Sequence, residues 1–512
     1  MKGDSRVQKS LLNARINSIC FFASLVLSFF SRKIFIDFLG ISFLGLTGTL
    51  GSILGFLNIA ELGIGSAIGY VLYKPIVDDD KLKITEVVSV LGYLYRKIGH
   101  FILLAGIIVS FFLPLIFKNN ELFEYKVLYF GFYAYLVSSL IGYYNNYRQV
   151  LLSADQRNYE VTGYYQVVNM IMLVLQMLFA FFTKSFLLFF ALQLICGVLY
   201  SVILNYRINK VYPWLQSEVS RGKTLLKEYP QIVKYIKQLF VHKIGEFVQF
   251  QISPLLIYSF VSLPMVAIYM NYTTISDKLN KFIIGAMDST LAGVGNLISE
   301  GDTGKVWTVF QELMSIRYFV SGIVATCFFY TSGSFISLWL GEQYVLSNIT
   351  TLLISVLLFM SIARGAIDQF IYGFGLFSDV WSPIVESVIF VSASVIFGSV
   401  WGLNGILFGP ILSMGLIIYI WKPYFLFSNG LKMSWGNFWV RFFLYVAVLL
   451  VSYWIIITLL QDNNSSNESW MHWFKSSSIF MIMYSLVAFL LFFIISSSFR
   501  KVTLLLYNRI KK

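Results

Sequence analysis

Ionisable side chains interrupt stretches of the chain that are otherwise apolar, and their spacing limits the chemistry open to them. Arg15 lies between Asn13 and Asn17, and Glu61 follows Asn58 by three residues. Lys243 and Glu246 are three apart, and Arg364 and Asp368 are four apart. Both spacings bring side chains together on one helical face, where they can form internal ion pairs. Asn271, Thr274, Lys278 and Lys281 share a face, with Ile275, Leu279 and Ile283 opposite. Asp277, Arg317 and Glu386 complete the set. A charge at the centre of a membrane span costs about 2.5–3.5 kcal/mol on insertion scales, so it faces a cavity or a partner. Simple neutralisation competes as a reading of the two pairs, and snorkelling to an interface competes for Lys278 and Lys281. A cavity with surplus Arg and Lys calls for an anionic ligand. Phosphate and pyrophosphate suit it, because these side chains supply several donors and a compact charge.

The elements that must hold these groups follow from composition. Hydrophobic residues make up 58% of the 512 and charged residues 12%, against about 25% charged in soluble domains. Spanning helices need about 20 mainly apolar residues each. About fourteen such runs occur, at 11–31, 41–73, 86–117, 125–152, 159–182, 185–207, 235–261, 264–297, 308–339, 346–374, 379–400, 402–425, 437–460 and 473–497. The fold class expected is an all-α membrane protein. The net charge of +13 is read as topological, with no nucleic-acid partner. Basic residues gather in alternate loops, including Lys81 and Lys83, Arg148 and Arg157, Arg207 and Lys210, Lys305, Lys422 and Lys432, and the tail from Arg500. That bias places both termini in the cytoplasm. Lys2, Arg6 and Lys9 read as a cytoplasmic lead into the first helix, since Arg15 interrupts the apolar run a signal peptide would need.

A repeat is visible at an offset of about 222 residues, pairing Lys83 with Lys305 and Arg96 with Arg317. Paired halves are a transporter signature, with the ligand held between them near mid-membrane. The expected organisation is an N-terminal lobe of six helices at 1–210 and a basic linker at 211–234 lying on anionic headgroups. A C-terminal lobe of six follows at 235–427, then two helices and a basic tail at 428–512.

Several chemistries are excluded. Gly222-Lys223-Thr224 lacks the earlier glycine of a phosphate-binding loop, because position 217 is Ser. Cys20, Cys196 and Cys327 are isolated in apolar runs, and His100, His242 and His472 are scattered, so no metal site or disulfide framework is expected. No cofactor or enzymatic activity is expected.

The run Glu61-Leu62-Gly63-Ile64-Gly65-Ser66-Ala67-Ile68, preceded by Arg32-Lys33-Ile34-Phe35-Ile36-Asp37-Phe38-Leu39-Gly40 and followed by Leu72-Tyr73-Lys74-Pro75, resembles the opening of Wzx-type polysaccharide flippases. These belong to the multidrug/oligosaccharidyl-lipid/polysaccharide (MOP) exporter superfamily. Beyond residue 100 the likeness is architectural. It implies two six-helix lobes around a cationic cavity in the bacterial cytoplasmic membrane. It also implies alternating access that moves an undecaprenyl-pyrophosphate-linked oligosaccharide from the inner to the outer leaflet. A polysaccharide polymerase and chain-length proteins become candidate partners. Arg15, Lys243, Lys278, Lys281 and Arg364 would bind the substrate, Arg15 standing where the family carries a basic first-helix residue. Glu61, Glu246 and Asp368 would couple transport to an ion or gate it. A lipid II flippase or a multidrug exporter of the same superfamily are the alternatives.

Overall fold

The computed structural model describes residues 6–61, 63–118, 123–288, 291–376, 378–460 and 469–510. All regular elements among them are helical. Twelve helical stretches are long and apolar enough to cross a membrane. Helices suit that setting because they satisfy every backbone polar group internally. Two further long helices, Pro230–Phe260 and Leu263–Met287, carry several of the charged residues of the middle of the chain. The order of long helices is the one expected, and the protein is an all-α membrane protein.

The chain divides into two compact units, one reaching Tyr258 with Ser262–Ala267, the other taking Ser259–Val261 and Ile268 onward. The first unit holds α1 (Arg6–Leu39), α2 (Ile41–Leu57), α3 (Ile64–Val77), α4 (Lys81–Ile116), α5 (Tyr125–Tyr144), α6 (Gln149–Ala154), α7 (Asn158–Thr183), α8 (Phe186–Val211), α9 (Gly222–Glu228) and most of α10 (Pro230–Phe260). The expected single span 41–73 is broken by a 3₁₀ turn at Asn58–Glu61. Gly63 opens α3 with φ of 89°, a left-handed conformation that side chains disfavour. The linker folds back onto α4. The Glu218 backbone N–H donates to Ser89 Oγ at 2.9 Å, and Tyr229 donates to Glu86 at 2.5 Å. Burial and the Glu86 carboxylate push the Tyr229 phenol well above its usual range, which keeps it a donor. Arg221, Lys223 and Lys227 remain exposed.

The second unit holds most of α11 (Leu263–Met287), then α12 (Leu291–Ser299), α13 (Thr303–Trp339), α14 (Asn348–Ala363), α15 (Gly365–Gly373), α16 (Ser382–Trp401), α17 (Leu403–Met414), α18 (Lys422–Leu426), α19 (Gly436–Leu459), α20 (Trp470–Ile495) and α21 (Ser497–Ile510). Two π-helical stretches, Gly415–Trp421 and Phe427–Leu431, flank α18. The last two long helices pack along α13. Tyr330 stacks on Phe480 with ring centroids 3.8 Å apart, and Trp473 donates to the Thr331 carbonyl at 3.2 Å.

The two units repeat an order of elements. In each, a broken helix, α2–α3 in the first and α11–α12 in the second, is followed by a very long one, α4 and α13. Helices α4 and α13 begin 222 residues apart (81 to 303). Each is capped by an aspartate: Asp80 accepts from the Lys83 N–H, and Asp302 from those of Gly304 and Lys305. Such caps satisfy backbone donors that the first turn leaves unpaired. At about 1.5 Å per residue, 36 residues of α4 span about 54 Å, more than the roughly 30 Å of a bilayer core, so this helix tilts or projects.

Candidate functional site

In the first unit a polar cluster fills the break between α2 and α3. Glu61 Oε1 accepts from Tyr95 at 2.6 Å, and its Oε2 accepts from Tyr143 at 2.8 Å. Asn58 Oδ1 accepts from Ser139 at 2.8 Å and Tyr143 at 3.2 Å. The break thus carries a half-buried carboxylate in a cage of hydroxyl donors contributed by α4 and α5. The backbone of α10 passes close to Gly63 at Phe240. The Lys243 and Glu246 side chains of that helix lie outside the described residues. Arg15 is exposed on α1.

A second anchor in this unit joins α7 to α8. Glu160 is buried and accepts from Arg157 Nε at 2.9 Å and Arg207 Nε at 2.6 Å. By sequence both arginines fall among the basic residues of alternate loops. Here they neutralise one acid.

The second unit carries its own carboxylate at the break between α11 and α12. Arg317, 1% exposed on α13, donates to Asp288 Oδ1 at 2.7 Å and to the Ile362 carbonyl at 3.4 Å. Gln369 of α15 donates to the same oxygen at 3.3 Å and to the Met287 carbonyl at 3.2 Å. One guanidinium therefore ties together the α11–α12 break and the α14–α15 joint. The expected counterpart of Arg317 was Arg96, which is exposed. The residue in the equivalent role is its neighbour Tyr95. Nothing near Asp288 in the sequence marks it as paired.

Arg364 and Asp368 form the expected ion pair, Nε to Oδ2 at 2.7 Å. A third member is Lys422, one of the basic residues expected in a loop. Lys422 Nζ lies 3.2 Å from Asp368 Oδ1, its side chain 17% exposed within the apolar stretch Leu403–Leu431. Two cations hold one carboxylate. On α11, Asn271 is buried, Lys278 is half-buried and Lys281 is exposed, so the polar face emerges from the fold along its length. Asn280 donates to Ser361 of α14 at 2.9 Å. Glu386 is buried on α16. An apolar cavity of about 240 Å³ lies among α13, α14 and α19, lined by Gly322, Ala325, Phe329 and Leu449 among others.

No family model matches the sequence, and neither does any curated protein. Solved structures do match. An inward-facing multidrug resistance MATE family transporter of the MOP superfamily superposes with a TM-score of 0.61 at 14% identity, covering 78% of this chain and 94% of that one. The lipid II flippase MurJ in an inward closed conformation gives a TM-score of 0.60 at 14% identity, covering 93% of this chain and 98% of that one. A MATE structure in complex with MaD3S gives 0.51 at 14% identity, with 84% and 97% covered. The chain has the fold of these MOP-superfamily transporters and flippases.

Proposed function

We propose that the protein is a flippase of the bacterial cytoplasmic membrane, with both termini cytoplasmic. It carries undecaprenyl-pyrophosphate-linked oligosaccharide repeat units from the inner to the outer leaflet by alternating access, for assembly of surface polysaccharide. The observation that carries this reading is the cluster inside the spans in which two cations, Arg364 and Lys422, are gathered at the Asp368 carboxylate. Paired Arg and Lys side chains of this kind suit a pyrophosphate headgroup better than a cationic drug. The opening run from Glu61 to Ile68 adds the polysaccharide-flippase likeness. Extensive coverage of a lipid II flippase structure fits a lipid-linked substrate. With the cytoplasm negative, outward movement of an anion is assisted by about 2.3 kcal/mol per charge per 100 mV.

The test is rescue of surface polysaccharide in a bacterium lacking its own repeat-unit flippase and supplied with the matching glycan pathway. Wild type should rescue, and Lys278→Ala and Arg364→Ala should not at equal membrane levels. Failure of well-expressed wild type with a matched glycan would overturn the substrate class. Rescue of a strain lacking its lipid II flippase, or efflux of cationic drugs, would then identify the related activity.

A further inference from the structure

The cluster around Asp368 is built from two joints in the helical framework. Arg364 sits between α14 and α15, where one helix ends and the next begins. Lys422 sits between two π-helical stretches. Widened turns of that kind are uncommon and recur at functional positions. Asp368 on α15 joins the two, each of its oxygens held by one cation.

We infer that Arg364 and Lys422 form a subsite for a phosphate or pyrophosphate oxyanion, and that Asp368 occupies it in the unloaded protein. The inference rests on the flippase reading for the identity of the natural ligand. Removing a half-buried carboxylate without replacement would strand two cations, which is costly. Replacing it with a second oxyanion leaves both cations paired. A phosphate oxyanion also competes well, since guanidinium and ammonium groups bond phosphate strongly. The exchange has a mechanical consequence. Once the ligand holds both cations, Asp368 no longer ties α15 to the Leu403–Leu431 stretch, and the two joints are free to change their angle. Ligand arrival would thereby be sensed within this unit by a swap of anions, with no proton or metal involved.

The test uses purified full-length protein in anionic-lipid-free nanodiscs, titrated with inorganic pyrophosphate and phosphate by calorimetry and by shift of the melting temperature. Asp368→Asn removes the internal competitor and should tighten pyrophosphate binding at least tenfold. Lys422→Gln leaves a balanced Arg364–Asp368 pair, so it should fold normally and weaken binding at least tenfold. That variant keeps the idea exposed to failure even if Asp368→Asn does not fold. Unchanged or weaker binding by folded Asp368→Asn would overturn the competitor role. Unchanged binding by Lys422→Gln, or no pyrophosphate binding by wild type or any folded variant, would overturn the subsite. These outcomes are independent of polysaccharide rescue. Anion exchange at this cluster in a protein that fails to rescue would sink the flippase reading and leave the subsite standing.

Discussion

Tyr95 donates a hydrogen bond of 2.6 Å to Glu61, fastening α4 to the break between α2 and α3. In the second unit Arg317 makes the corresponding bond, 2.7 Å to Asp288, at the break between α11 and α12. The two donors are 222 residues apart (95 to 317), the offset at which α4 and α13 begin. The architecture repeats, but the chemistry does not. Glu61 is held by neutral phenols, whereas Asp288 is held by a guanidinium. Glu61 is held by hydrogen bonds from hydroxyls and Asp288 by an ion pair, and the coupling role expected of Glu61 can be tested directly.

Glu61→Gln should leave the fold intact, since an amide still offers an oxygen to Tyr95 or Tyr143. Transport in inverted vesicles should lose its response to an imposed proton or sodium gradient. A wild-type rate indifferent to every imposed gradient would remove coupling from the mechanism. A gradient response that survives Glu61→Gln would move the coupling group elsewhere.

Arg317 and Asp288 should respond unequally to truncation. Arg317 is 1% exposed, while the Asp288 side chain is 49% exposed. Asp288→Ala strands a buried guanidinium, a loss on the order of 3 kcal/mol. Arg317→Met leaves only a solvated carboxylate behind and keeps much of the packing. Chemical denaturation in detergent should rank Asp288→Ala as the more damaging change. The reverse ranking would mean that the side chain's volume matters more than its charge.

Gly365 provides an independent check on the same junction. A Cβ there would run into the Arg317 guanidinium, so the helix joint and the buried arginine need each other. Gly365→Ala should destabilise by about 1–3 kcal/mol, the usual cost of overpacking. Combining it with Arg317→Met should recover part of that loss, because the obstructing head group is gone. Additive losses would show that Gly365 acts through backbone conformation instead.

Twelve of the fourteen expected spans are long and apolar enough to cross a membrane, and they are readable in the sequence because a membrane helix demands a long apolar run. The Arg364–Asp368 pair was readable because both partners lie on one helical face, four apart. Lys422 was not, since its partner is 54 residues away and a lysine near the end of an apolar run resembles a loop charge. Tyr95 and Tyr143 were hidden for a different reason. Buried phenols look like ordinary aromatic packing until their acceptor is known. The interruption of the second helix was masked by apolar residues on both sides, although Asn58 and Gly63 mark it in retrospect. Pairings between distant helices depend on tertiary contact, which periodicity along one helix does not encode.

Lys278 and Lys281 lie one turn apart on α11, yet they should contribute differently to transport. Lys278 is half-buried and Lys281 exposed. A charge contact made away from water is worth about 1.5–3 kcal/mol, whereas an exposed one is worth about 0–1 kcal/mol. Lys278→Ala should therefore slow flipping of a pyrophosphate-linked substrate by about tenfold or more, given about 1.4 kcal/mol per factor of ten. Lys281→Ala should stay within about fivefold of wild type by the same conversion. Lys278→Arg, which keeps the charge, should retain most activity. The measurement is substrate accessibility at the outer leaflet of proteoliposomes, with matched protein levels. Equal losses for the two alanine variants would mean that Lys281 also reaches the ligand in another state of the transport cycle. No loss for either would place the substrate away from this face of α11.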